Sequence, residues 1–138
     1  MITIADCVKD YKTETFEIKP EEAIENLFLG WSANDKTGQL SGMDRGNKTF
    51  EAFELMKFLK KVRKANTEEA LELTKEKLNE IDAYKASKII EEFFTGWLGT
   101  HYSNIGGERD VQIYQAYNKI KLFFRQLSVT EYIIKNEK

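Results

Sequence analysis

Two arginines stand in matched settings in this chain, Gly42-Met43-Asp44-Arg45 and Gly106-Gly107-Glu108-Arg109, each closing a polar, glycine-bearing stretch ahead of an amphipathic run. A helix start presents unpaired N–H groups and the positive end of the helix dipole, so a guanidinium placed there needs an anion nearby. Two sources fit the pattern. Glu25 and Glu91 recur along with the arginines, and bridges from Glu25 to Arg45 and from Glu91 to Arg109 would clamp each loop to the helix before it, while Asp44 and Glu108 suit the helix start itself. Alternatively, glycine-rich backbone, helix N-terminus and guanidinium converge on an external phosphate or carboxylate. Nucleophilic chemistry has little to draw on. Cys7 and His101 are the single cysteine and histidine, in unlike contexts, so neither a histidine metal cluster nor a Cys/His pair is expected.

Carboxylates offer a third chemistry. Glu21-Glu22-Ala23-Ile24-Glu25 and Glu68-Glu69-Ala70-Leu71-Glu72 both carry acids at the first, second and fifth positions, which puts them on one helix face where Mg²⁺ could be held against phosphates. This spacing resembles part of the motif of the all-α nucleoside triphosphate pyrophosphohydrolases, and the resemblance, confined to those residues, implies a Mg²⁺-dependent nucleotide hydrolase. The family's second element, a glutamate and an aspartate three apart, meets Asn79 where the glutamate should precede Asp82. Glutamates in a first turn also simply suit the helix dipole. The expectation is a chain without catalytic residues, metal or cofactor.

The elements that must position these groups repeat. Ile24-Glu25-Asn26-Leu27-Phe28-Leu29-Gly30-Trp31 returns as Ile90-Glu91-Glu92-Phe93-Phe94-Thr95-Gly96-Trp97, and the chain's two tryptophans end the two octets. Phe50-Glu51-Ala52-Phe53 is answered in order by Tyr114-Gln115-Ala116-Tyr117, and Lys57 by Lys121. These correspondences predict an all-α, internally duplicated bundle: two helix-loop-helix-helix units, at about 20–81 and 82–138, related by a pseudo-two-fold axis. About six helices result, in one domain. A short helix precedes them, begun by Thr3 and Asp6 at capping spacing, with a hairpin through Ile2, Ile4, Phe16 and Ile18 as the competing reading.

Pro20 followed by Glu21-Glu22 starts the first helix of unit one, which is expected to stop at Gly30, with Trp31 opening a loop to Gly46. Asn47 caps the next helix, whose inward stripe is read as Phe50, Phe53, Met56, Leu59 and Val62. Asn66 or Thr67 caps a third helix with Ala70, Leu71, Leu78 and Ile81 inside, and Asp82 caps the first helix of unit two. That helix ends at Gly96 and Gly99, a polar loop runs from Thr100 to Asp110, and Ser128 with Glu131 starts a short last helix.

Function is read from these faces. Each Gly-Trp pair is either a helix stop with an aromatic plug, or a platform on which a base or a partner side chain stacks. The basic residues Lys57, Lys60, Lys61, Arg63 and Lys64, with Lys119, Lys121 and Arg125 in unit two, either complement helix C-termini or follow a nucleic-acid backbone. With 21 basic and 23 acidic residues among 138 and a net charge of −2, no global field favours a polyanion. No apolar run reaches membrane-spanning length, and a lone cysteine with no signal pattern points to the cytoplasm. The reading is a non-enzymatic adaptor, small subunit or inhibitor that engages a protein or nucleoprotein through its loops and adjoining basic helices, using Trp31, Asp44, Arg45, Lys57, Trp97, Glu108, Arg109 and Lys121. Binding of a phosphate ligand or nucleic acid by Arg45 and Arg109 is the alternative.

Overall fold

A computed structural model describes residues 2–34, 42–100 and 107–136, which form six helices and no strand. They are α1 (Ile4–Thr13), α2 (Pro20–Ala33), α3 (Gly42–Lys64), α4 (Thr67–Glu80), α5 (Ala83–Leu98) and α6 (Glu108–Asn136). No described helix is long and apolar enough to cross a membrane.

Side-chain caps set three of the helix starts, and a proline sets a fourth. The Thr3 hydroxyl accepts from the Asp6 N–H at 3.1 Å while the Asp6 carboxylate accepts from the Thr3 N–H at 2.9 Å, a reciprocal box that makes the first segment a helix and removes the hairpin alternative. Those hydrogen bonds from Thr3 hold the Asp6 carboxyl below its ordinary range. Pro20 opens α2 with Glu21 and Glu22 in its first turn. Asn66 accepts from the Glu69 N–H at 2.9 Å to start α4, and Asp82 accepts from the Tyr84 N–H at 2.8 Å to start α5. Each removes an orphan donor that a helix start would otherwise leave to water.

Five boundaries differ from the sequence reading in whole or in part. α2 runs through Gly30 and Trp31 to Ala33, and α5 runs through Gly96 and Trp97 to Leu98, where Gly99, the second expected stop, is its C-cap. No described glycine has positive φ, so neither Gly30 nor Gly96 is a left-handed stop. α3 already begins at Gly42, which puts Asp44 and Arg45 in a helical first turn instead of a loop, and α6 likewise takes in Glu108 and Arg109. Residues 35–41 and 101–106, the middles of the two expected loops, lie outside the described residues. Ser128 does not start a helix: α6 continues past it, because Leu127 and Thr130 stay buried and no proline or glycine interrupts the run. The last two expected helices are one.

The core lies among α2, α5 and α6, with Ile24, Leu27, Ile89, Ile90, Phe93, Ile120, Phe123, Phe124 and Leu127 essentially inaccessible. Burying side chains of this size contributes about 1.5–3 kcal/mol each against chain entropy. α2 against α5 is the most extensive helix contact. Its closest approach is reciprocal. A Cβ at Gly30 would stand 2.8 Å from the Trp97 Cα and 2.9 Å from its Cβ, and a Cβ at Gly96 would stand 2.9 Å from the Trp31 Cα and 3.0 Å from its Cβ. Glycine is there to let two backbones meet. The Asn34 side chain closes the end of this seam by donating to the Gly96 carbonyl at 3.1 Å.

α1 closes the bundle from another side. Tyr11 stacks on Phe123 at 4.3 Å, and Cys7 contacts the Thr130 hydroxyl at 3.6 Å. Lys12 Nζ donates to the carbonyls of Val62 at 2.9 Å and Ala65 at 2.6 Å, satisfying acceptors that the end of α3 leaves open.

Candidate functional site

α3 carries two apolar stripes, and the structure buries the one the sequence reading did not choose. Ala52, Leu55, Phe58, Leu59 and Val62 face the core, whereas Phe50 and Phe53 are 65% and 61% exposed. Of the expected inward set only Leu59 and Val62 are buried, with Met56 half-buried at the edge. The equation of Phe53 with Tyr117 also fails, since Tyr117 is buried and stacks on Phe94 at 4.0 Å. Both stripes satisfy helical spacing, so periodicity alone does not rank them. The discriminating signal is small: Ala52 lets α3 come close to its neighbours, and a run with lysines at 57, 60, 61 and 64 is costly to turn inward.

The outer face of α3 is therefore a ridge, apolar in its first half and basic in its second. Met43, at 77% exposure, leads to Phe50 and Phe53, and Lys57, Lys60, Lys61 and Lys64 follow, all exposed. Beside it, between α2 and α3, lies a groove of about 460 Å³ floored by Phe28, Leu29, Phe53 and Met56. Glu25 stands on its α2 rim and Lys57 and Lys60 on its α3 rim.

Two ion pairs tie the α2 and α5 faces to their following helices, and neither uses the arginine expected as its clamp. Glu21 accepts from Arg63 at 3.0 and 2.7 Å in a forked pair between α2 and α3, and Glu91 pairs with Arg125 between α5 and α6. Glu91 does not reach for Arg109, and Glu25 makes no bridge to Arg45: it stays exposed on the groove rim. Burial would raise the Glu21 pKa, but the Arg63 hydrogen bonds and charge outweigh it and hold the carboxyl below its ordinary range. For Glu91 the same contest between burial and its bonds from Arg125 and Lys88 ends the same way. The first half of α3 is held to α5 by Lys48 with Glu92 at 2.9 Å and by Lys85 with Glu51 at 3.7 Å.

The remaining predicted residues are dispersed. Arg45 and Asp44 lie exposed in the first turn of α3, and Glu108 and Arg109 in that of α6, beside Asp110, whose carboxyl burial pushes up against the pull of Arg109. Lys121 Nζ sits 4.8 Å over the Tyr117 ring. Trp31 and Trp97 are 4% and 3% exposed, so their rings serve the core and leave no face on which a base could stack. Cys7 is buried and its thiol pushed up by burial, which disfavours the thiolate a nucleophile needs. His101 falls outside the described residues. Of the first E-E-x-x-E run, Glu21 is engaged by Arg63, and in the second Glu69 accepts from its cap residue Asn66 at 2.9 Å. No group of three or more potential metal ligands occurs among the described residues. Comparison with protein-family models, curated proteins and solved structures finds no match.

Proposed function

We propose that this chain is a non-enzymatic binding protein of the cytoplasm, which engages a protein or nucleoprotein partner through the outer face of α3 and the α2–α3 groove. The observation that carries the reading is the solvent-facing run Met43, Phe50 and Phe53 continued by four lysines. Large apolar side chains left outward on a helix that already has a complete inward stripe are a cost in water that a partner removes. Aromatic anchors flanked by charge are also what interface centres are made from. An amphipathic helix with an acidic flank fits such a groove, its apolar side against Phe28 and Phe53 and its carboxylates toward Lys57 and Lys60.

The internal duplication belongs to the same proposal. Support comes from matching inward faces: Ala23, Ile24, Leu27 and Trp31 on α2 correspond to Ile89, Ile90, Phe93 and Trp97 on α5, all buried. Ala52, Leu55, Phe58, Leu59 and Val62 on α3 correspond to the buried Tyr117, Ile120, Phe123, Phe124 and Leu127 on α6 in a register one residue off the one that pairs Ala52 with Ala116 and Lys57 with Lys121. A pseudo-two-fold axis through the Gly30/Trp97 and Gly96/Trp31 crossing accounts for both.

The test is affinity capture from extracts of the source cell with the wild-type chain and a Phe50→Glu/Phe53→Glu double variant. A partner retained by the first and reduced at least ~10-fold on the second, with unchanged thermal unfolding, supports the reading. Equal recovery on both chains overturns it. The exposed lysine row favours a second reading, in which nucleic acid or a phosphate ligand is held by these lysines with Arg45 and Arg109. Its signature is affinity that falls steeply with salt and drops further in Arg45→Ala and Arg109→Ala. A Mg²⁺-dependent hydrolase would release pyrophosphate from a nucleoside triphosphate and lose that activity in Glu25→Gln.

A further inference from the structure

Two hollows flank the outer ridge of α3, and the chain treats their charges differently. On the side of α4 and α5 a hollow of about 270 Å³ is floored by Phe50, Leu55 and Ile81. The charged groups around it are all paired inside the chain: Lys85 with Glu51 at 3.7 Å, and Lys77 with Glu54 at 3.5 Å and with Glu80 at 3.4 Å. The larger groove against α2 is unlike it. Glu21 is taken by Arg63, but Glu25, Lys57 and Lys60 have no ion-pair partner among the described residues. An apolar floor and unmatched rim charges occur together on this flank alone.

The walls of that groove decide which backbone suits it. α2 and α3 run in opposite directions, since Glu21 at the start of one meets Arg63 at the end of the other. Both walls are helices, which use their own N–H and C=O groups internally. An extended segment laid between them would leave its peptide groups unsatisfied against Phe28, Leu29, Phe53 and Met56. No strand occurs among the described residues to offer an edge instead. A helical occupant brings its backbone already paired and packs its apolar side on two helices at once.

The rims then set the charge of that helix. Lys57 and Lys60 stand about 4.5 Å apart along the axis of α3, a spacing that carboxylates three or four residues apart on the occupant match. Lys61 and Lys64, also exposed, carry the positive edge on past the groove. Glu25 on the opposite rim repels a second row of acids, disfavours a phosphate backbone and suits a cation. The stretch from Phe53 to Lys60 covers about 10 Å, two helical turns, and a helix that short is marginal in water by itself.

Resting on the reading above that this face takes a partner, we infer that the partner's contact segment is an amphipathic helix, acidic along one flank only, which folds as it seats between α2 and α3. Peptides of about 16 random residues, displayed as a library and selected on the intact chain, test this. Those retained should carry apolar residues at helical spacing with Asp or Glu on one flank, and a synthetic copy should gain helical ellipticity on mixing. Its affinity should fall at least ~10-fold against Lys57→Glu/Lys60→Glu and against Phe53→Glu, with thermal unfolding of both variants unchanged. Replacing the peptide's acids by lysines should restore binding to Lys57→Glu/Lys60→Glu.

Retained peptides that are basic, that lack helical spacing or that bind Lys57→Glu/Lys60→Glu equally well overturn the inference. So does a selection that retains nothing beyond what Phe50→Glu/Phe53→Glu retains, or a single-stranded RNA oligomer that displaces the peptide and loses binding in the same variants. Its failure and that of the broader reading are distinguishable. Equal capture of cellular partners by wild type and Phe50→Glu/Phe53→Glu defeats the reading itself. A partner lost on Phe50→Glu/Phe53→Glu but kept on Lys57→Glu/Lys60→Glu leaves the reading standing and overturns the acidic helix alone.

Discussion

Glycine does opposite things in two regions of this protein. In the α2–α5 seam, Gly30 and Gly96 have no room for a Cβ because each lies against the backbone of a tryptophan on the other helix. At the start of α3, Gly42 and Gly46 have nothing among the described residues within 4 Å of where a Cβ would stand. One pair brings two helices into contact and the other sits in open space beside the exposed Met43 and Phe50. The same contrast separates the two kinds of aromatic residue: tryptophans that fill the seam, and phenylalanines on a surface that no described residue covers. The first region is sealed by close packing, and the second is the surface proposed above to take a partner.

The contrast can be broken most forcefully at two phenylalanines five residues apart. Phe58→Ala should cost about 3–5 kcal/mol in urea unfolding, whereas Phe53→Ala should cost under about 1 kcal/mol. Equal costs would mean that α3 is turned about its axis, with Phe53 facing the core. Next in size, Gly30→Ala or Gly96→Ala should destabilise by about 2–3 kcal/mol despite alanine's better helix propensity, since overpacking at a backbone contact outweighs a gain of about 1 kcal/mol. A neutral result would remove the close approach.

A smaller effect attaches to the Glu21–Arg63 pair, which fastens α3 to the sealed side. Glu21→Gln should lower the melting temperature by about 2–4 °C at neutral pH. The Glu21 pKa is lower in the folded chain than in the unfolded one, so this contribution is fully present above the unfolded value of about 4.3. It is lost as the pH falls through the folded value, and the difference between variant and wild type should shrink in acid and stay flat from about pH 6 to 8. A gap that instead widened in acid would reverse the assignment. Smallest of all, Gly46→Ala should stabilise by about 0.5 kcal/mol, since its Cβ meets nothing and the helix gains. Destabilisation there would show that the ridge is covered in the free protein.

Capping chemistry was the most legible part of the fold. The Thr3 box, Pro20, Asn66 and Asp82 each mark a helix start by a local interaction that three or four residues suffice to specify. What failed depended on distant partners. Gly30 and Gly96 have the local signature of a helix stop, and only the helix lying across them reveals a contact glycine. Ser128 and Glu131 have the spacing of a capping box, yet Glu131 accepts from the Ala83 N–H at 3.2 Å on a different helix. On α3 the two stripes are equivalent in period, and α2 and α4 decide between them. The candidate surface was legible as to helix but not as to face, and the expected clamps named the right glutamate on α5, Glu91, with the wrong arginine.

The placement of α1 sets an order of assembly. Its Cys7 rests against Thr130, 123 positions along the chain, and its Tyr11 rests on Phe123. At synthesis rates of roughly 5–20 residues per second, the α6 part of its docking site follows the first helix by on the order of 10 s, after the end of α3 that Lys12 engages. Its own capping box can keep it helical in that interval, but the Tyr11 ring has no Phe123 to stack on until α6 emerges. Completing the α1 contacts is thus a late step, and amide protons in α1 should exchange ahead of those in the α2–α5 seam.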